Sequence, residues 1–251
     1  MSDSQLHPFE RMNYFPGQLL MARHFKAEQS YMNEKRHLLN RLIHGRGIVC
    51  GLIVKEDACI GKSREITITP GVALDGYGRE VIVHREITMK ISEIESCDSS
   101  QEKPESFYLC LEYAECKKEP VPNLNSCSCE ETCEYSRIQE GFKIVIREKE
   151  PPQNNCCTPL KEGQTLKEYA ASMLYECPKP SKNECVILAS ICLDPEGYIS
   201  SVNGKGRQYV YSNSLLYEHI FCIEERICKI ERVLNQLLDE KKKVDNNRKD
   251  D

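Results

Sequence analysis

The sequence predicts an α+β protein with an N-terminal helix, an antiparallel β-sandwich or barrel core and a long, coiled-coil-like C-terminal helix. Three observations carry this prediction. A helical apolar pattern covers residues 19–46, short alternating segments with Gly and Pro turns fill 47–210, and a heptad repeat occupies 211–243. These periods distinguish the elements because side chains return to one face after about 3.6 residues in a helix and after two in a strand.

Residues 1–18 are predicted to form an extended arm, since they are polar and hold two prolines. The arm ends in a turn at Tyr14–Gly17, where proline presets φ and glycine takes a conformation that other residues avoid. A helix is predicted over Leu19–His44, and Gly45 fits the preference for glycine just past a helix end. The apolar stripe of this helix consists of Met21, Phe25, Met32, Leu39 and Leu42.

The middle of the chain is predicted to consist of short strands joined by tight turns. Gly47–Val54 is an apolar strand interrupted by Gly51, Glu65–Thr69 alternates, and Asp75–Gly78 has the composition of a hairpin turn. Further strands are predicted at Arg79–His84, Glu86–Ile91, Phe107–Tyr113, Arg137–Glu148 and Cys185–Leu193, with a short helix at Leu166–Tyr175. Short strands at this spacing are typical of an antiparallel sandwich or barrel.

The C-terminal helix carries apolar residues at alternating gaps of four and three, the heptad spacing that keeps one seam facing a partner helix. The seam consists of Leu216, Ile220, Ile223, Ile227, Ile230, Leu234 and Leu237. Ile220, Ile227 and Leu234 occupy position a, and the other four residues occupy position d. β-Branched residues at both positions favour three or four strands over two.

We therefore predict a homotrimer through this helix. Arg226 at position g reaches Glu231 at position e of a parallel neighbour, and Val233 and Leu238 widen the seam on its flanks. The alternative is a helix that packs on its own domain, for which the same spacing is common. Residues 244–251 are charged and are predicted to form a disordered tail.

Composition argues against several classes of function. The 251-residue chain has a net charge of −5, which argues against general nucleic-acid binding. Its longest apolar run, Ile48–Val54, is much shorter than a transmembrane helix, so we expect no direct membrane insertion. The N-terminus lacks the basic start and apolar stretch of a secretory signal, which predicts a cytoplasmic protein.

The chain holds 15 cysteines, and clustered cysteines in a reducing cytoplasm are more often metal ligands than disulfides. An insertion at 114–135 places three thiolates within seven residues, which can ligate one tetrahedral ion with a fourth ligand from elsewhere. The candidate ligands are Cys116, Cys127, Cys129, Cys133, Cys156 and Cys157. Zn²⁺ or an iron–sulfur cluster suits such sulfur ligands, and disulfides or unligated thiols are the alternatives.

Most of the cysteines in apolar strands or helices are predicted to be small buried hydrophobic residues: Cys50, Cys110, Cys185, Cys192, Cys222 and Cys228. No constellation predicts an enzyme. His24, Glu28 and Tyr31 share a helix face, which is more often an amphipathic surface with polar contacts than an acid–base site. Gly204–Arg207 lacks the flanking strand and helix of a phosphate-binding loop.

Two blocks of sequence stand apart from these patterns. The first comprises Asn13–Leu20, His24, Phe25, Glu28, Gln29, Tyr31 and Asn40–Leu52, and the second is Ser136–Phe142 with its echo at Tyr211–Tyr217. Together they resemble a family of bacterial and archaeal proteins associated with gene clusters for phage-tail-like contractile injection systems. The first block is similar, more distantly, to the trimeric baseplate subunit of type VI secretion, because Gly17, Leu20, His24 and Phe25 keep a spacing that opens the β-sandwich of that subunit.

The resemblance implies a structural adaptor or baseplate-type component within an assembled particle, with sister copies and other particle proteins as its partners. Because the N-terminal arm is extended, Ser2–Tyr14 is the segment expected to dock on such a partner. The alternative hypothesis is a metal-binding or redox-responsive module built on the cysteine loop.

Overall fold

The computed structural model describes residues 8–56, 63–96, 105–122, 133–151, 163, 165–173 and 185–247. The chain divides into two compact units, Met1–Val210 and Tyr211–Asp251. The described strands lie in the first unit together with helices α1 (Ala22–Leu39) and α2 (Leu166–Met173). Helix α3 (Asn213–Asn247) makes up the described part of the second unit beyond its first two residues.

Six short strands of the first unit belong to three chain segments, each of which bends from one sheet into another. One sheet has the order β1 (Gly47–Gly51), β4 (Gly71–Leu74), β5 (Glu80–Val83). The other has the order β2 (Val54–Glu56), β3 (Glu65–Ile68), β6 (Ile87–Lys90). All of these neighbours are antiparallel.

The bend between the two sheets brings two glycines face to face, because Gly51 is paired with Gly71. A Cβ atom on Gly71 would collide with the carbonyl oxygen of Cys50 and would lie 2.6 Å from the amide nitrogen of Leu52. A Cβ atom on Gly51 would collide with the carbonyl oxygen of Pro70, and the φ angle of Gly51 is +64°. The two backbones can therefore approach this closely only where neither residue has a side chain.

A larger sheet has five strands in the order β11 (Ile199–Asn203), β10 (Val186–Leu193), β8 (Ser106–Pro122), β9 (Cys133–Arg147), β7 (Glu95–Ser96). Its neighbours are antiparallel except for the parallel pair of β7 and β9. Strand β10 pairs with β8 only as far as Leu111, whereas β8 and β9 stay paired to Pro122 and Cys133. The far half of β8 and β9 is thus a two-stranded ribbon.

One hydrophobic core joins the three sheets. Alternate residues of β8 point into it, since Phe107, Leu109 and Leu111 are at most 1% exposed. Ile66 and Ile68 of β3, and Val81 and Val83 of β5, alternate in the same way. The two-residue period of these strands therefore decides which side chains leave water, and burial of each Ile or Leu contributes about 1.5–3 kcal/mol.

The hairpin between β4 and β5 is built around Asp75, whose side chain is completely buried. Its Oδ1 accepts hydrogen bonds from the amides of Tyr77 at 2.9 Å and Arg79 at 2.8 Å, and its Oδ2 accepts one from Arg79 Nε at 2.6 Å. The guanidinium of Arg79 lies 4.4 Å from the ring centre of Tyr113 on β8. A buried carboxylate is tolerated here because a cation and two amides compensate its charge.

Helix α1 docks on this hairpin by its C-terminal end. Asn40 Nδ2 donates to the carbonyl oxygen of Gly78 at 2.9 Å and to Glu80 Oε1 at 2.8 Å, and Arg36 forms an ion pair with Glu80 at 3.1 Å. A Cβ atom on Gly78 would collide with the carbonyl oxygen of His37. No residue of α1 is buried, so polar contacts at one end hold the helix to the sheets.

The predicted α+β class with antiparallel sheets and an N-terminal helix is confirmed. The N-terminal helix begins later than predicted, at Ala22, and its last five residues, Asn40–His44, form a π-helical turn. Strands β8 and β9 extend into the predicted insertion at 114–135, because their backbones stay paired there although the exposed, mostly polar residues give no hydrophobic signal in the sequence. Helix α3 continues to Asn247, four residues into the predicted tail.

We expect Gly71→Ala to lower the free energy of unfolding by about 3 kcal/mol, because the added methyl group meets backbone atoms that cannot move independently. Urea unfolding followed by circular dichroism measures the change. Gly141→Ala is the matched control, since its Cβ atom would lie 3.8 Å from the nearest heavy atom, and it should change stability by less than about 0.5 kcal/mol. Equal losses for the two variants would contradict the role of the bend.

Burial between α1 and the hairpin lowers the pKa of His37 below 6.5, and the neighbouring Arg36 charge acts in the same direction. The folded state therefore prefers neutral His37, so this contribution to stability is present above about pH 6.5 and is lost as the pH falls through the folded-state pKa. We expect His37→Gln to lose less stability than the parent between about pH 7 and pH 5. Parallel thermal melts at each pH test this, and identical slopes would contradict it.

Candidate functional site

The most prominent surface of the second unit is the apolar seam of α3. Its seven side chains are between 45% and 66% exposed: Leu216, Ile220, Ile223, Ile227, Ile230, Leu234 and Leu237. From the first to the last of them the seam is about 31 Å long at 1.5 Å per residue. An exposed apolar row of this length is typical of an interaction surface, because single exposed hydrophobic residues are ordinary but contiguous ones are not.

Local sequence explains why α3 begins where it does and continues without a break. Ser212 caps its start, since the hydroxyl Oγ accepts a hydrogen bond from the amide of Leu215 at 3.3 Å. The helix contains neither Gly nor Pro between Asn213 and Asn247. All seven seam residues therefore lie on one uninterrupted helix, which fixes the spacing of the surface they form.

The apolar residues that flank the seam are exposed to a similar extent. Val233 at position g is 55% exposed and Leu238 at position e is 46% exposed. Phe221, at position b, is 54% exposed but faces away from the seam. Association through this helix stays a prediction, and the outer positions provide side chains of equal exposure for comparison.

The prediction of burial is wrong for three of the six cysteines placed in apolar elements. Cys50, Cys222 and Cys228 are exposed free thiols, because they lie on the outward side of β1 or on α3, where no described side chain is buried. Cys192 is partly buried and free. Apolar neighbours in sequence did not reveal which side of each element faces the core.

Cys110 and Cys185 are buried, as predicted, but they are joined in a disulfide between β8 and the residue before β10. Their Cα atoms are 5.6 Å apart and 75 residues separate them in the chain. In the chain-entropy account, closing a loop of this length stabilises the fold by about 4 kcal/mol. The two cysteines form a small second hydrophobic cluster together with Val145, Ile187 and Tyr108.

The predicted metal ligands fall in different places. Cys116 lies opposite Gln139 and Cys133 lies opposite Pro122, so six residues, or about 20 Å of ribbon, separate the two cysteines and the register does not bring them together. Cys127, Cys129, Cys156 and Cys157 lie outside the described residues. Within the described part of the chain no group of three His, Cys, Asp or Glu residues could hold a metal ion. The zinc site stays a prediction.

The face of α1 that carries His24, Glu28 and Tyr31 binds the N-terminal arm. Tyr14 Oη donates a hydrogen bond to Glu28 Oε2 at 2.7 Å, which raises the pKa of Tyr14, and the ring of Phe9 lies edge-on to Tyr31 at 6.3 Å. His24 Nδ1 accepts a hydrogen bond from the amide of Met21 at the start of the helix. These three side chains therefore make polar and aromatic contacts within the chain.

A second exposed apolar surface lies along α1 and the residues next to its two ends. The side chains that share this face are exposed by 40% to 67%: Met21, Phe25, Met32, Leu39 and Ile43. The sequence pattern predicted most of this stripe as the apolar face of an amphipathic helix. It could not show that this face is exposed instead of packed against the core. No helix in the described ranges is long and apolar enough to span a membrane.

Comparisons with known proteins give structural neighbours only. No protein-family model and no curated protein matches the chain. It is similar to a chain in the cryo-electron microscopy structure of the type VI secretion system TssK–TssF–TssG baseplate subcomplex, with 10% identity and a TM-score of 0.39 over 79% of this chain and 61% of that one. It is also similar to a chain in the baseplate complex from the type VI secretion system, with 11% identity and a TM-score of 0.37 over 91% of this chain and 50% of that one. The chain thus spans about half to three fifths of the length of these two neighbours.

Proposed function

We propose that the chain is a structural, baseplate-type component of a contractile, phage-tail-like particle and that it assembles as a homotrimer through α3. The observation that carries this proposal is the exposed, isoleucine-rich heptad seam of α3. Full burial of a seam side chain contributes about 1.5–3 kcal/mol, and each of these residues already loses part of its exposure in the single helix. Association of three helices supplies the rest of that burial.

The composition of the seam favours three copies. Isoleucine occupies both core positions at Ile220 and Ile223, and again at Ile227 and Ile230, a pattern that packs poorly in a two-stranded coil. The exposed apolar flanks widen the surface beyond what a dimer covers. A parallel neighbour also brings charges of opposite sign together, as with Arg226 and Glu231.

The particle itself is supported by the sequence resemblance of the N-terminal block. Gly17, Leu20, His24 and Phe25 belong to the arm and to the first turn of α1, which lie together because Tyr14 and Phe9 hold the arm along the helix. The arm and α1 thus form one surface at which other particle proteins would dock. Closed threefold symmetry is compatible with the threefold or sixfold symmetry of such assemblies.

We expect the parent protein to have a trimer mass in light scattering at micromolar concentration. Ile223→Lys combined with Ile230→Lys should convert the trimer to smaller species, because each copy then buries two charges in the seam. The matched control is Phe221→Lys combined with Cys228→Lys, which makes the same change at exposed positions off the seam and should keep the trimer. A parent monomer, or equal behaviour of the two double variants, would refute the assembly.

The particle role has its own test. In the source cells, sedimentation of assembled particles should recover the parent protein and the Phe221/Cys228 control but not the Ile223/Ile230 variant. A deletion of Ser2–Tyr14 should lose particle incorporation while its purified form keeps the trimer mass, because the arm and the seam are separate surfaces. Normal incorporation of the deleted form would count against the proposed docking role of the arm.

A further inference from the structure

The exposed stripe on α1 is symmetric about its middle residue. Its five members are Met21, Phe25, Met32, Leu39 and Ile43, and the gaps between them are four, seven, seven and four. Three of them, Phe25, Met32 and Leu39, belong to α1 and fall within an arc of about 40° on an α-helix of 3.6 residues per turn, while Met21 directly precedes α1 and Ile43 lies in the π-helical turn that follows it. Such a narrow row is typical of a seam between two helices and is too narrow for a helix that lies in a membrane surface.

The internal contacts of α1 flank the stripe and leave its central side chains exposed. His37 and Asn40 face the β4–β5 hairpin, and Glu28 and Tyr31 face the arm. Met32, at the centre of the stripe, is 63% exposed. Neither set of contacts covers the row.

Symmetric spacing specifies an antiparallel copy of the same helix as the occupant. When two identical helices cross antiparallel about a twofold axis at Met32, residues equally far from Met32 lie at the same height on opposite helices. Phe25 then meets Leu39 of the second copy and Met32 meets itself, while Met21 and Ile43 extend the row beyond the two ends of α1. Each of the three helical residues thus has an apolar neighbour over a contact about 21 Å long.

The charges beside the stripe obey the same symmetry. Glu28 lies four residues before Met32, and Arg36 lies four residues after it, so the twofold axis sets the carboxylate of one copy opposite the guanidinium of the other. Arg36 remains 48% exposed in its ion pair with Glu80. A carboxylate has two oxygens that accept several hydrogen bonds, so Glu28 keeps its bond from Tyr14 in this arrangement. A parallel arrangement would place like charges at equal heights.

We propose that α1 pairs antiparallel with α1 of a second copy across a twofold axis at Met32. This contact is separate from the seam of α3 and adds a second kind of interface.

A crosslink at the axis tests the geometry directly. In the full chain, Met32→Cys places two thiols next to each other across the axis, whereas Glu34→Cys places them about 160° away around the helix. Mild copper-catalysed air oxidation should give at least tenfold more covalent dimer for the Met32 variant, and peptide mass spectrometry should assign the link to the two Met32→Cys positions. Equal yields from the two variants, or no link at this position, would overturn the proposal.

A mass measurement separates this contact from the α3 trimer. In the background of Ile223→Lys with Ile230→Lys, we expect twice the chain mass of 28.9 kDa at tens of micromolar. Adding Phe25→Lys and Leu39→Lys should give a monomer, while adding Ala27→Lys and Ser30→Lys, at exposed positions off the stripe, should leave the dimer. Circular dichroism confirms that each variant is folded.

The experiments distinguish failure of the α1 proposal from failure of the α3 proposal. A parent trimer whose α3-disrupted form is a monomer would overturn the α1 contact and leave the trimer standing. A parent dimer that Phe25→Lys and Leu39→Lys dissociate would support the α1 contact and refute the trimer.

Discussion

The fold of the first unit depends on the close crossing of two backbones at Gly51 and Gly71. Each of three chain segments passes from one small sheet into the other. The close crossing lets strands of only three to five residues from both sheets pack into one core. A side chain at either glycine would separate the sheets, because the atoms it would meet are backbone atoms. The bend also sets the position of the β4–β5 hairpin, which carries Asp75 and receives the end of α1.

Two kinds of surface coexist in this chain. The core strands bury their inward side chains almost completely, as in Leu109 and Val81. Helices α1 and α3, in contrast, have no described buried side chain although both carry rows of large apolar residues. Apolar area left in water costs free energy, which is why we propose that these rows are covered on assembly.

Most of the described cysteines also fall into buried and exposed groups. One pair lies inside the first unit and closes a disulfide between neighbouring strands, where it supports the sheet. Cys116, Cys222 and Cys228 lie at exposed positions on the ribbon and on α3. Cys116 and Cys133 could not bind the same metal ion in this arrangement, because the ribbon register keeps them apart.

Sequence by itself determined the class of the fold, most strand positions and the heptad row, because alternation and heptad spacing are local properties that the backbone period converts directly into faces. It also identified the turns at Pro16–Gly17 and Asp75–Gly78, where residue type fixes the backbone angles.

Only the tertiary structure decided which faces were covered. The pairing of Cys110 with Cys185 and the close approach of Gly51 to Gly71 join residues that are distant in the chain, and the exposure of Met32 reflects the lack of any such partner at that face among the described residues. A sequence pattern states that a face is apolar, but whether something lies against that face depends on how the sheets fold in space.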